Sequence, residues 1–338
     1  MIKVSFVIPT LNAGLVLETC LKSIKKQTVS SKEYEIIIAD GGSTDNTINL
    51  AQKYKAIIIQ NPLKTAEAGK AVGVKKAKGT YIALIDSDNI LPTKNWLKTN
   101  IDILENDSSL IGTEPLFFTY RPNGGFIERY SALTGVNDPY AFVTGVYDRQ
   151  NYINYKWTGL MINQTDFEKY IKVELKPNTQ IPTIGANGTI FRSKSLKDNL
   201  KSDYLFDIDI ISYSLSKNEK SLYFAKVKQG IIHTFCESSI KKFVRKQNRR
   251  ITDYYYYQKF RKYNWDKTNK FGSIKFTLYT LLILPPLFDS FRGFFHKPDI
   301  AWFFHPLACF ITLYLYSIAY LKKILKISNI INRNTWKQ

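Results

Sequence analysis

Asp86-Ser87-Asp88 places two carboxylates one residue apart, directly behind the apolar run 81–85. A run of that composition, opened by Lys78-Gly79-Thr80, reads as a buried strand. At the C-terminal end of a strand in an open α/β sheet, such a pair stands where these sheets bind ligands. Two carboxylates so close repel each other, and a divalent cation offsets that repulsion. A hard cation held by one or two carboxylates keeps room for phosphate oxygens, which suits a diphosphate leaving group. The pattern is not rare, since Asp207-Ile208-Asp209 repeats it in the same chain. A solvated loop with two charges is the plain alternative, and context decides between the two.

The preceding 80 or so residues alternate strand and helix signals. Residues 4–8 read as a first strand ended by Pro9, and Leu17, Cys20, Leu21 and Ile24 mark one face of a helix. Residues 34–39 form a second strand closed by Asp40-Gly41-Gly42, with Ser43 as cap of the next helix and Asp45 in its first turn. A third strand is expected over 56–59 and a third helix over 64–77. Strands separated by helices of this length imply right-handed crossovers and a parallel sheet, so Thr10, Asp40 and Asp86 share one edge. The glycine fingerprint of dinucleotide-binding folds is absent.

Three segments carry a resemblance in order and spacing: Val7-Ile8-Pro9-Thr10-Leu11-Asn12, Ala39-Asp40-Gly41-Gly42-Ser43-Thr44-Asp45 and Ile85-Asp86-Ser87-Asp88-Asn89. Together they resemble a family 2 glycosyltransferase of the GT-A fold, over residues 1 to about 250. The resemblance implies an α/β architecture, a mostly parallel sheet flanked by helices. It implies that Pro9, Thr10, Asn12 and Asp40 contact the nucleoside. Asp86 and Asp88 would bind the sugar nucleotide and a metal, Mn²⁺ or Mg²⁺. Where the family often has Arg-Asn before a glycine, this chain has Gly69-Lys70-Ala71-Val72-Gly73, leaving Lys70 as the cation for the diphosphate. Residues 184–192, with Gly185 and Asn187, resemble the segment lining the acceptor and sugar pocket. Asp207 is implied as the catalytic base, with Asp209 as the fallback and Phe206 in place of the family's Glu. His233 ends a strand-like run, where related enzymes bring a histidine to the metal or diphosphate. For most of these residues a structural role is open as well: Asp40 as a turn aspartate, Lys70 as a solvated helix lysine, His233 as a satisfied structural histidine.

The net charge of +20 is uneven. Residues 231–338 hold 19 Lys and Arg against 5 Asp and Glu, so this third of the chain carries +14. Such asymmetry marks an end that meets something anionic. The cluster at 241–250 includes Arg245, Arg249 and Arg250, which could clamp a diphosphate or lipid phosphate. Tyr254 to Tyr257 and Trp265 then mix with Lys259, Arg261 and Lys262, which is the composition of a membrane interface. The apolar run 276–288, interrupted by Pro285-Pro286, is too short to cross a bilayer, whereas 300–321 has 22 residues without a formal charge. These features favour an anionic membrane surface over nucleic acid as partner.

The expected organisation is a catalytic domain over 1–235, a basic interfacial region over 236–272 and a C-terminal membrane-associated helical segment over 273–338. Basic residues flank the apolar pair on both sides, which favours a hairpin with both ends cytoplasmic. A single span with an exported C-terminus is the other topology. Residues 4–8 are too short for a signal-peptide core, and Cys20, Cys236 and Cys309 form no disulfide framework. The catalytic domain is therefore expected at the cytoplasmic face of the cell membrane. The function expected is metal-dependent, inverting transfer of a sugar from a nucleotide-diphosphate donor to a lipid-linked glycan acceptor. Transfer to a polyprenyl phosphate is the alternative within the class, and a non-catalytic nucleotide-sugar sensor is the alternative outside it. A sugar-phosphate nucleotidyltransferase would want a Gly- and Arg-rich loop where 9–14 reads Pro-Thr-Leu-Asn-Ala-Gly.

Overall fold

The structure is a computed structural model that describes residues 1–185, 187–200, 203–218, 220–258, 271–325 and 327. The expected interfacial residues Lys259, Arg261, Lys262 and Trp265 lie outside the described residues, as do Ala186 and Lys326.

Strand β1 (Val4–Thr10) is buried throughout, with β2 (Tyr34–Asp40) parallel on one side and β4 (Tyr81–Leu84) parallel on the other. β3 (Ile57–Gln60) pairs parallel to β2 at the edge. The registers Thr10↔Asp40 and Val7↔Leu84 bring Thr10, Asp40 and the Asp86-Asp88 turn to the same edge of the sheet. Beyond β4 the direction alternates. β9 (Thr189–Arg192) runs antiparallel between β4 and β6 (Leu110–Phe118), and β10 (Leu222–His233) then lies parallel to β6. β7 (Asn163–Asp166) and β8 (Tyr170–Leu175) close the far edge as antiparallel strands. The fold is α/β, a central sheet flanked by helices, parallel in its first half and mixed in its second.

Two insertions in this sheet position chemistry. Because β9 is reversed, Leu84 faces Thr189, and the loop before β9 that carries Gly185 and Asn187 lies at the edge where β4 ends. The two-residue β5 (Asn89–Ile90) pairs with β10 at His233↔Asn89, which sets His233 beside the Asp86-Asp88 turn.

Helices α1 (Gly14–Lys25), α2 (Thr47–Lys53), α3 (Ala66–Lys76) and α4 (Trp96–Asn106) make the crossovers of the first half. Ser43 does not cap α2. Its hydroxyl donates to Asp40 Oδ1 and accepts from the Asn12 N–H, while Asp45 accepts from the Thr47 N–H at 2.9 Å. Helix α3 starts at its cap Thr65, later than expected, and Thr65 accepts the Ala68 N–H at 3.2 Å. Gly69 and Gly73, one turn apart, face β1: a Cβ on Gly69 would stand 2.7 Å from Pro9 Cβ, and one on Gly73 would overlap Val7. The helix backbone can sit this close to the strand only because both positions lack a side chain.

Downstream come α5 (Phe126–Thr134), α6 (Pro139–Thr144), α7 (Ser193–Asn199), α8 (Asp207–Asn218) and the basic α9 (Ile240–Tyr257). Helix α9 buries Phe243, Gln247 and Ile251, spaced one turn apart. The C-terminal part holds α10 (Gly272–Leu281), α11 (Leu284–His296), a 3-10 turn (Ile300–Phe304) and α12 (His305–Ile324). The break between α10 and α11 falls at Leu282 and Ile283, ahead of Pro285-Pro286, and turns the chain by 82°. The prolines occupy the first turn of α11, where their missing N–H groups have no partner to lose. Residues 300–324 are long and apolar enough to cross a membrane.

Gly73→Val is expected to lower unfolding free energy by about 1–3 kcal/mol through overpacking against Val7. Chemical denaturation measures it; unchanged stability would mean that α3 does not need this close approach.

Candidate active site

At the edge where β1 and β2 end, the Asp40 carboxylate is consumed by its own turn. Oδ1 accepts from Thr10 Oγ1 at 2.9 Å and Ser43 Oγ at 2.5 Å, and Oδ2 accepts from the N–H groups of Gly42 and Ser43, each at 2.8 Å. A carboxylate offers about four acceptor positions, so a ligand hydroxyl would have to displace one of these donors. Asn12, at φ 49°, uses its side-chain oxygen on the Thr44 N–H at 2.8 Å. Pro9 packs against Gly69. These four residues thus build and brace the turn at the edge where a nucleoside contact is expected.

The carboxylates behind β4 are held differently. Lys70, buried on α3, places Nζ 3.1 Å from Asp86 Oδ1. Beyond this ion pair, the buried oxygen has no hydrogen-bond donor among the described residues. Asp88 lies 3.3 Å from His233 Nε2 and 3.2 Å from Lys246 Nζ on α9. Burial raises the Asp88 pKa, but Lys246 and His233 outweigh it and hold the carboxyl far below the usual range. Burial likewise opposes charge on Lys70, and Asp86, Asp207 and Glu67 more than offset it. One ligand atom each from Asp86, Asp88 and His233 lie within 4.8 Å of one another. Two carboxylates and an imidazole, one buried oxygen among them lacking a donor, fit a divalent cation.

Asp207 opens α8, and its Oδ1 is buried without a hydrogen bond. Burial pushes its carboxyl up to about 7, with Asp86, Glu67 and Glu114 adding to the shift against Lys70. Asp207 and Asp86 both line an open cleft of about 450 Å³, whose far wall comes from α9 and the C-terminal helices. Gly185, Asn187, His233, Arg249 and Arg250 line it too. Arg250 also donates to the Asn137 carbonyl at 3.2 Å and approaches Asp138 at 3.7 Å, tying α9 to the loop before α6. Arg245 is exposed and outside the cleft lining that holds Arg249 and Arg250. Asp209, two residues into α8, lies outside the cleft lining and leaves Asp207 as the helix's acid in the cleft.

Sequence reasoning missed several charges. Glu67, on α3, lies in the cleft; burial raises its pKa, but Arg249 and Lys70 outweigh that, and Tyr204 hydrogen-bonds it at 3.1 Å. Deeper, Glu114 on β6 faces Lys226 on β10 in direct register, 2.5 Å apart. Arg149 reaches Glu114 at 2.5 Å and Asp148 at 2.6 Å, and donates to the Asn187 carbonyl at 3.1 Å. Burial pushes the Asp148 carboxyl up to about 7. A legible signal existed for this group: Glu114 and Lys226 sit within runs of mostly apolar residues, and a charge inside a buried strand needs a partner.

Lys70→Met should leave Asp86 uncompensated and lower unfolding free energy by ~3–5 kcal/mol, while Lys70→Met with Asp86→Asn should recover most of it. Denaturant titration of the two variants decides; equal losses would mean that Lys70 is held by something other than Asp86.

Residues 5–198 match the family model described as "Glycosyl transferase family 2". Glycosyltransferase AglE of Haloferax volcanii is 29% identical over 141 residues, 39% of this chain and 45% of that protein. The Escherichia coli UDP-Glc:alpha-D-GlcNAc-diphosphoundecaprenol beta-1,3-glucosyltransferase WfaP is 34% identical over 137 residues, 39% of this chain and 50% of that protein. The matches thus span half or less of these curated relatives. In fold, the chain is similar to the mannosyltransferase PcManGT of Pyrobaculum calidifontis, solved with GDP-Man and Mn²⁺. The TM-score is 0.51 at 12% identity, covering 96% of this chain and 88% of that one.

Proposed function

The chain belongs to glycosyl transferase family 2, and from that premise we propose that it moves a sugar from a nucleotide-diphosphate donor to a lipid-linked glycan acceptor at a membrane surface. The observation that carries this reading is the cleft itself, which Asp86, Asp207 and His233 line together with Lys70, Lys246, Arg249 and Arg250. The acceptor class is supported by the apolar C-terminal helices at the cleft wall and by the diphosphoundecaprenol-linked acceptor named for the similar Escherichia coli enzyme.

Asp86, Asp88 and His233 would hold a divalent cation, Mn²⁺ or Mg²⁺, which acts as a Lewis acid on the diphosphate. The chain's own residues do the rest. The turn braced by Asp40, Thr10 and Asn12 receives the nucleoside. Lys70 and Arg249 offset negative charge on the diphosphate as the sugar leaves. Asp207 takes the proton of the acceptor hydroxyl as that oxygen attacks the anomeric carbon from the opposite face, with inversion. A carboxyl raised by burial is a stronger base once ionised than one in water, which suits this step. The catalytic face is the cytoplasmic one, where nucleotide sugars are available.

The test is release of nucleotide diphosphate by purified full-length protein supplied with Mn²⁺, a panel of UDP-, GDP- and dTDP-sugars and a lipid extract. Lipid-stimulated release with one donor is expected, with Asp207→Asn reducing turnover by about 10²–10⁴-fold and Asp88→Asn raising the Mn²⁺ concentration required. Asp207 works as a base only when ionised, so kcat/KM should fall as pH drops through about 7. Full rate in Asp207→Asn with loss in Asp88→Asn would instead indicate a phosphate acceptor, which needs no base. Donor binding without release under any condition would leave only the sensor reading.

A further inference from the structure

The C-terminal helices are built inside out. Exposed large apolar residues fall at Ile274, Leu278 and Leu281 on α10, at Leu284, Phe288, Phe291 and Phe295 on α11, and at Leu307, Phe310, Tyr314, Leu321 and Ile324 on α12. On each helix these positions are three, four or seven residues apart, so each forms a single stripe. The opposite faces, turned to the protein, are mostly small or weakly polar: Gly272 and Thr280 beside Phe276, then Ser290 and Gly293 beside Pro286, then Ala308, Cys309, Thr312 and Ala319 beside His305. At Gly293 the indole of Trp302 packs against the backbone. Helices of a water-soluble protein show the reverse arrangement, and small residues at helix contacts with large apolar ones outward are the pattern of helices in lipid.

Length and hydropathy would let α12 cross a bilayer, but its neighbour would not. Helix α12 lies alongside α9 from one end to the other. Phe304, just before α12, meets Phe243 at 5.2 Å between ring centroids, and Lys323 near its end donates to Gln258, just past the end of α9, at 2.9 Å. In between, Tyr316 donates to Asp138 at 2.6 Å, and at the start His305 meets the Tyr130 hydroxyl at 2.8 Å. The stretch from Phe304 to Lys323 rises roughly 28 Å, close to the thickness of the hydrocarbon layer, ~30 Å. If α12 crossed, α9 would cross with it, carrying Lys241, Lys242, Arg245, Lys246, Arg249 and Arg250 into hydrocarbon.

We propose that α10, α11 and α12 lie in the plane of one leaflet and dock the protein on an anionic phospholipid surface without crossing it. This inference rests on the membrane reading above and replaces a spanning hairpin with an interfacial platform. The exposed charges of this platform are Lys275, Arg292, Lys322 and Lys323, all basic, whereas Asp299 is paired with Arg129 at 2.9 Å. That complements anionic headgroups. Ser273 and Tyr316 line the cleft from the protein side of the same helices, so the cleft wall and the lipid contact are two faces of one layer.

Flotation of full-length protein with phosphatidylcholine vesicles, with and without phosphatidylglycerol, tests the surface. Binding that increases with phosphatidylglycerol is expected, and Leu278→Asp, Phe291→Asp and Phe310→Asp together should weaken it roughly tenfold or more. Topology is read separately, from nitroxide or bimane labels on Leu307→Cys, Tyr314→Cys and Leu321→Cys, quenched by lipids carrying quenchers at set depths. Similar shallow depths at all three sites, with none reached by an impermeant thiol reagent inside the vesicle, are expected. A deep centre flanked by a lumenal end would overturn the in-plane arrangement while leaving the membrane reading intact. No flotation with either lipid, or a stable dimer that hides these stripes in solution, would overturn both.

Discussion

Carboxylates crowd one edge of the sheet, and charge balance there constrains everything built around it. Two like charges about 4 Å apart at an effective dielectric constant near 20 repel by ~4 kcal/mol, so each acid must be answered by a cation, shared or close by. Lys70 answers Asp86, Lys246 and His233 answer Asp88, and Arg149 with Lys226 answers Glu114. Among the described residues no cation forms an ion pair with Asp207, and burial, with Asp86, Glu67 and Glu114 nearby, holds its carboxyl protonated up to about 7.

Backbone geometry makes that balance possible. Lys70 reaches Asp86 because α3 rides close on β1 over two glycines. His233 reaches Asp88 because β10 ends against the short β5. The Gly185–Asn187 loop meets the same edge because β9 is inserted against the direction of its neighbours. None of these placements is local. Each brings together residues separated by more than ten positions, and each depends on strand order.

The C-terminal helices extend the same layer outward. Asp138 caps α6, accepts from Tyr316 on α12 and approaches Arg250 on α9, so the cleft loop, the basic helix and the apolar layer are joined at one carboxylate. A detached anchor would leave such polar contacts unmade. The protein therefore couples whatever its apolar face rests on to the wall of its cleft.

Much of this was readable in the residues. The order of β1, β2, β3 and β4 with their crossovers follows from hydrophobic runs ended by Pro9, Asp40 and Asp86, because parallel strands buried on both faces read as continuous apolar segments. The place of Asp86 and Asp88 behind β4 singled them out, whereas Asp207 and His233 were pointed to by the family resemblance. The second half of the sheet was not legible, since a reversed strand as short as Thr189–Arg192 looks the same in sequence whichever way it runs. Nor was the state of any charge. Asp40 became a saturated brace and Arg245 an exposed helix residue, while Lys246, Glu67 and the Glu114 group entered the site unannounced, because pairing is decided by neighbours distant in the chain. Composition by itself determined that the C-terminus is basic and apolar. That a charged helix lies beside its longest apolar helix was set only by the tertiary structure, because the pairing joins residues distant in the chain.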